Sequence, residues 1–198
     1  DVGWYRKTFE LPEAVRSQRI HLEFDGIYRD ATIWVNGHLA GNHLSGYTSF
    51  SLDITELCVT DAPNVVAVRC DAQEFELWSY EGGGIYREVR LVATDAVHVP
   101  YCGTCVRSQF LEEDDFSEAV VDCSTLIENA GRETVVAEVH FEVYAAGDSD
   151  AVYACSHEIE IECGERVIVD DQFTIEDPQL WSTESPNMYR LVTEVWVG

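Results

Sequence analysis

The chain has 198 residues, 46% hydrophobic and 11% aromatic, which suits one large domain or two of about 100 residues and excludes global disorder. Against 12 Lys and Arg stand 37 Asp and Glu, a net charge of −25 that repels phosphate backbones and anionic bilayers, so neither nucleic acid nor a membrane surface is expected as a partner. No apolar run approaches the ~20 residues that cross a bilayer.

The opening, DVGWYRKTFELP, enters a strand-like pattern almost at once, with no initiator Met and no signal peptide, and reads as a cut end. Next come alternating stretches. Ile20, Leu22 and Phe24 face one way in RIHLEF, and Ala31, Ile33 and Val35 do so in DATIWVN. Asn36-Gly37 predicts a tight hairpin, because a type I′ turn needs φ > 0 at both central residues. Val66, Val68 and Cys70 share a face in NVVAVRCD.

Residues 78–91, WSYEGGGIYREVRL, place three glycines between an aromatic–acidic cluster and another alternating run. A phosphate-binding turn would need a helix after the glycines, with its N–H groups aimed at the anion. Instead Ile85, Arg87, Val89 and Leu91 alternate with Tyr86, Glu88 and Arg90, so the turn opens a strand. On that pattern Arg87 is expected partly buried and paired to a carboxylate, since an unpaired buried charge is expensive.

ATDAVHVP follows a finished strand, placing a domain boundary near 94–97 and dividing the chain into 1–95 and 96–198. Beyond it, Cys102-x-x-Cys105 with His98 is the arrangement to weigh as metal or redox chemistry. It lacks the second ligand pair of a structural zinc site and the βαβ context of a thioredoxin motif. Glu112-Glu113-Asp114-Asp115 reads as a solvated loop. Val135, Ala137, Val139, Phe141 and Val143 then share a face, as do Tyr153, Cys155, Ile159 and Ile161, and finally Tyr189, Leu191, Val195 and Val197. Cys123 and Cys155 suggest a bridge between sheets, but the Trp and Cys spacing of an antibody domain is missing. Seven cysteines cannot all pair within one chain, so reduced thiols in a cytoplasmic protein are the expectation. Short strands at this spacing, with no long helical period between them, make the chain all-β.

GWYRKTFELP, LEFDGIYRDATIWVNGHLAGNHLSGYTSFSLDIT, WSYEGGGIYREVRLV and PQLWSTESPNMYRLVTEV, in that order, resemble the front end of glycoside hydrolase family 2, which includes β-galactosidases, β-glucuronidases and β-mannosidases. The resemblance implies a sugar-binding jelly-roll β-sandwich over 1–95, N-terminally truncated, followed by an immunoglobulin-like β-sandwich over 96–198. A (β/α)₈ barrel carrying two catalytic glutamates would come next and is missing. A retaining mechanism needs two carboxyls about 5–5.5 Å apart on a rigid scaffold, so the fragment itself should have no catalytic residues and no activity. The resemblance also implies a β-glycoside as partner of the complete enzyme, alongside the barrel, and allows a homo-oligomer; the odd cysteine count and the single Cys-x-x-Cys pair make no cofactor or metal the expectation for this fragment.

In family members the loop ahead of GIYR reaches towards the barrel mouth, where some enzymes use it to shape the sugar subsite, and in some β-galactosidases an acidic residue two positions before its tryptophan approaches the sugar. Those positions here make Glu76, Trp78, Tyr80 and Glu81 the substrate-binding candidates. The rings offer apolar faces to a pyranose and the carboxylates accept its hydroxyls. The other reading is that Trp78 and Tyr80 pack a domain contact while the glycines form a bulge. Trp4, Trp34 and Trp196 lie in strand patterns as sheet-face residues, and Trp181 resembles the packed closing turn before the last strand. Galactoside is the commonest substrate for this arrangement. A stand-alone carbohydrate-binding or adhesion module of two sandwiches is the alternative function.

Overall fold

The computed structural model describes residues 1–74, 82–112 and 115–198. These are strands and loops with two single-turn 3₁₀ segments, Glu13–Val15 and Thr55–Leu57. No helix among them is long and apolar enough to cross a membrane. The chain divides into two compact units, Asp1–Asp95 and Ala96–Gly198.

The first unit contains β1 (Val2–Phe9), β2 (Arg19–Phe24), β3 (Ile27–Tyr28), β4 (Ala31–Val35), β5 (His38–His43), β6 (Phe50–Asp53), β7 (Asn64–Asp71), β8 (Gly84–Ile85) and β9 (Val89–Thr94). One antiparallel sheet runs β1-β7-β4-β5 and a second runs β6-β2-β9, while β3 and β8 form a short pair of their own. Period-two alternation puts Ile20, Leu22 and Phe24 in one buried cluster with Ile33, Val35, Val66 and Val68. Phe24 is fully buried and stacks on Phe50 with centroids 4.9 Å apart. Burying such a ring stabilises a fold by about 1.5–3 kcal/mol. The Asn36-Gly37 hairpin forms between β4 and β5, with φ of 52° and 84°. The Asn36 amide also donates to Leu57 O and Asn64 Oδ1, each at 2.8 Å, so the turn is tied to the chain behind it.

The second unit contains β10 (Val97–His98), β11 (Thr104–Phe110), β12 (Glu118–Asn129), β13 (Val135–Ala145), β14 (Tyr153–Ile161), β15 (Arg166–Glu176) and β16 (Tyr189–Val197). β12 pairs with β10, β11 and β15, and the opposing sheet runs β14-β13-β16. Seven strands in two such sheets make an immunoglobulin-like sandwich. Its core joins Val121, Cys123 and Ile127 of β12 to Val139, Phe141 and Val143 of β13. All seven cysteines are free thiols, so no bridge links Cys123 to Cys155.

Two expectations need correction. The run from Ile85 to Leu91 is not one strand: β8 ends at Ile85 and β9 begins at Val89. β8 pairs with β3 whereas β9 pairs with β2, and the chain steps from one partner to the other between them. Arg87 lies in that step, is exposed, and sets its guanidinium over the Tyr86 ring at 5.5 Å instead of burying against a carboxylate. Arg90 takes the carboxylate role, donating to Asp25 at 2.8 and 2.5 Å and to Glu88 at 3.1 Å. Trp181 is the second correction. It sits in the turn before β16, bridged to Pro186, and is 61% exposed rather than packed.

Candidate functional site

Glu76, Trp78, Tyr80 and Glu81 lie outside the described residues, as do Glu113 and Asp114 of the acidic loop. What is described is where that segment leaves β7 and where it re-enters at β8. On the departing side, Asp71 N donates to Arg29 O at 3.1 Å and Ala72 N to Asp1 O at 3.0 Å. The Arg69 guanidinium holds Asp71 Oδ2 at 2.5 Å, and Asp71 Oδ1 accepts from Gln73 N at 3.1 Å. On the returning side stand Gly82, Gly83 and Gly84.

These two sides meet at a cleft of about 450 Å³, lined by Tyr5 from β1, Tyr28 from β3, Cys70 and Ala72 at the end of β7, and the three glycines. Gly84 explains part of the glycine run. Its φ is +110°, and a Cβ there would stand 2.0 Å from the Tyr5 hydroxyl, so only glycine lets the backbone pass beneath that ring. Cys70 Sγ donates to Tyr28 O at 2.7 Å, and burial pushes its thiol pKa up, which keeps it a protonated donor at neutral pH. The cleft is therefore floored by neutral groups: two phenols, a thiol and backbone amides. Asp1 contributes the carboxylate of its described lining. Such a surface can stack a ring and hydrogen-bond hydroxyls, whereas retaining hydrolysis requires a pair of carboxyls. Tyr5 and Tyr28 were not singled out from the sequence. They come to the glycines from strands more than fifty residues away in the chain, and the one signal was the glycine run itself, which marks close backbone approach.

Comparison with known proteins bears on both units. Residues 3–80 match the family described as glycosyl hydrolase 2 galactose-binding domain-like, and residues 106–198 match glycosyl hydrolases family 2. The chain belongs to glycosyl hydrolase family 2. A β-galactosidase of Bacteroides ovatus is 36% identical over 98% of this chain, which spans 22% of that protein. A solved glycosyl hydrolase family 2 member from Bacteroides cellulosilyticus superposes with a TM-score of 0.89 at 31% identity, over 98% of this chain and 26% of its own. A β-glucuronidase of Bacteroides uniformis gives a TM-score of 0.88 at 28% identity, with 98% and 24% covered. The chain thus spans between 18% and 30% of relatives it matches, corresponding to their N-terminal β-sandwiches: a jelly roll followed by an immunoglobulin-like domain.

Proposed function

We propose that this chain is the non-catalytic front part of a retaining β-glycosidase of β-galactosidase type, and that residues 76–84 border its sugar subsite. The carrying observation is one of proportion: both units match family 2 in order over 98% of the chain, yet span only 22% of a β-galactosidase relative. The two catalytic carboxylates then belong to the part of the parent protein beyond this chain. Glu76 and Glu81 accept sugar hydroxyls while Trp78 and Tyr80 cover a pyranose face. The cleft at Tyr5, Tyr28 and Gly84 supports this reading, because its phenol rings can stack on a pyranose and hydrogen-bond its hydroxyls beside residues 82–84. The β-glucuronidases among the relatives make a glucuronide the second substrate class.

Two measurements test the proposal. The isolated chain should not hydrolyse nitrophenyl galactoside or glucuronide, and turnover lost on substituting residues within it would overturn the assignment. In the full-length protein, Glu76→Ala should lower kcat/KM with little change in thermal stability. Losing a hydrogen bond to a charged acceptor is worth about 1.5–3 kcal/mol, roughly ten- to a hundredfold. Unchanged kcat/KM in both Glu76→Ala and Trp78→Ala, with lowered stability, would make the segment a packing element.

A further inference from the structure

A second cluster of chemistry-bearing side chains lies within the immunoglobulin-like unit. Cys155 and His157 are two residues apart on β14, so the pleat points both side chains to the same face. Asp171 comes from β15, on an inward-facing position between Val169 and Phe173. Cys155 Sγ lies 2.9 Å from Asp171 Oδ2 and 3.7 Å from His157 Nε2, and His157 Nε2 lies 3.6 Å from Asp171 Oδ1. We infer that Cys155, His157 and Asp171 form a binding site for one divalent transition-metal ion, with zinc the best fit, and leave a fourth position to solvent.

Three features carry the inference. The first is geometry. Zinc bonds of about 2.3 Å to sulfur and 2.0–2.1 Å to nitrogen or oxygen, at tetrahedral angles, set ligand atoms roughly 3.3–3.6 Å apart. The sulfur and the imidazole nitrogen, 3.7 Å apart, and that nitrogen and Asp171 Oδ1, 3.6 Å apart, lie within a few tenths of an ångström of that range, whereas Asp171 Oδ2, 2.9 Å from the sulfur, must draw back by roughly 0.6 Å or leave Oδ1 as the ligand atom. The second is ligand chemistry. A thiolate, an imidazole and one carboxylate suit zinc, whereas calcium and magnesium take oxygen. The third is support and access. Tyr153 Oη donates to Asp171 Oδ2 at 2.7 Å, and its ring stacks on Phe173 at 4.1 Å, fixing the carboxylate as the outer partners of metal ligands do. Asp171 is 14% exposed and His157 34% exposed, so the site has firm walls and an open mouth. On binding, the Cys155 thiol gives its proton to solvent, a sulfur–metal bond replaces the S–H donated to Asp171, and His157 coordinates as the neutral ring.

Cys102 and Cys105, the pair that the spacing singles out, are both exposed, and Cys102 sits in a turn at φ 56°. The cluster inferred here is assembled across strands, with no spacing to announce it.

Tag-free chain, reduced and dialysed against chelator, is titrated with zinc and, separately, with cobalt(II), with magnesium in large excess to occupy the acidic surface. One ion per chain should bind, with tetrahedral cobalt d–d bands and a thiolate-to-cobalt charge-transfer band, and melting temperature should rise. Cys102→Ser with Cys105→Ser should leave binding intact, whereas His157→Ala should weaken it at least a hundredfold. Tyr153→Phe, acting through Asp171, should weaken it about 10- to 100-fold. Absence of the charge-transfer band in the wild-type chain overturns the inference whether or not any variant folds. Binding unchanged in His157→Ala overturns it equally, as does a stoichiometry of zero.

Discussion

Gly84 carries the tightest local constraint in the first unit, and it allows a comparison within one turn. Gly84→Ala places a methyl 2.0 Å from the Tyr5 hydroxyl on a backbone at φ +110°, whereas a Cβ at Gly82 meets nothing within 4 Å. The strained conformation alone costs about 1–3 kcal/mol. Gly84→Ala should therefore lower the unfolding midpoint in denaturant clearly, and Gly82→Ala should leave it within about 0.5 kcal/mol of wild type. Adding Tyr5→Phe to Gly84→Ala should recover part of the loss, because the hydroxyl is the atom struck first; no recovery would mean that the clash is not the cause. Asp25 offers a pH test. Hydrogen bonds from Arg90 hold its carboxyl below the usual carboxylate range. A depressed folded pKa contributes stability that is fully present above the unfolded value of about 3.9 and lost as pH falls through the folded value. Asp25→Asn should thus be less stable than wild type at pH 7, with the difference closing as pH drops below 4. A gap that widens on acidification would refute the sign.

Strands were the legible elements, since a face buried in a two-sheet sandwich imposes a period of two that sequence displays directly. Phe141 shows this at the centre of β13: it is fully buried, while Val136 on the same strand is 51% exposed. Phe141→Ala should cost about 3–5 kcal/mol by chemical denaturation, and Val136→Ala should stay within about 0.5 kcal/mol. Equal losses would mean that the faces are misassigned. The break between β8 and β9 was illegible for a physical reason. Alternation continues through Arg87 and Glu88, but the pairing partner changes there, and partner identity is set by residues some sixty positions away. Trp181 escaped for a similar reason, because a turn held by its bridge to Pro186 leaves no periodic signature of which side meets solvent. Glu76, Trp78, Tyr80 and Glu81 are substrate-binding candidates through an ordered family resemblance alone, and they lie outside the described residues. The tyrosines flooring the cleft, and the cluster of Cys155, His157 and Asp171, depend on register between distant strands, which local patterns do not encode.

At the scale of the whole molecule, charge is the dominant unpaired quantity. With 37 acidic groups and 12 basic ones, 25 negative charges are left over even if every Lys and Arg found a partner. Local pairs such as Arg90 with Asp25 favour the fold and weaken in salt, but repulsion among the excess carboxylates opposes the compact state and weakens too. The numbers decide which effect is larger, because attractive pairs are capped by the scarcer cations. Raising sodium chloride from about 10 mM to about 1 M shortens the screening length from roughly 30 Å to roughly 3 Å. That removes repulsion acting across a sandwich while leaving contact pairs partly intact. Melting temperature should therefore rise with sodium chloride, by an amount of order 1 kcal/mol or about 4–8 °C for units of about 100 residues. Chloride is the salt to use, since sulfate strengthens apolar burial on its own account. A melting temperature that falls with sodium chloride would mean that the twelve cations are placed well enough to outweigh the excess, and that the acidic surface is neutralised locally rather than tolerated.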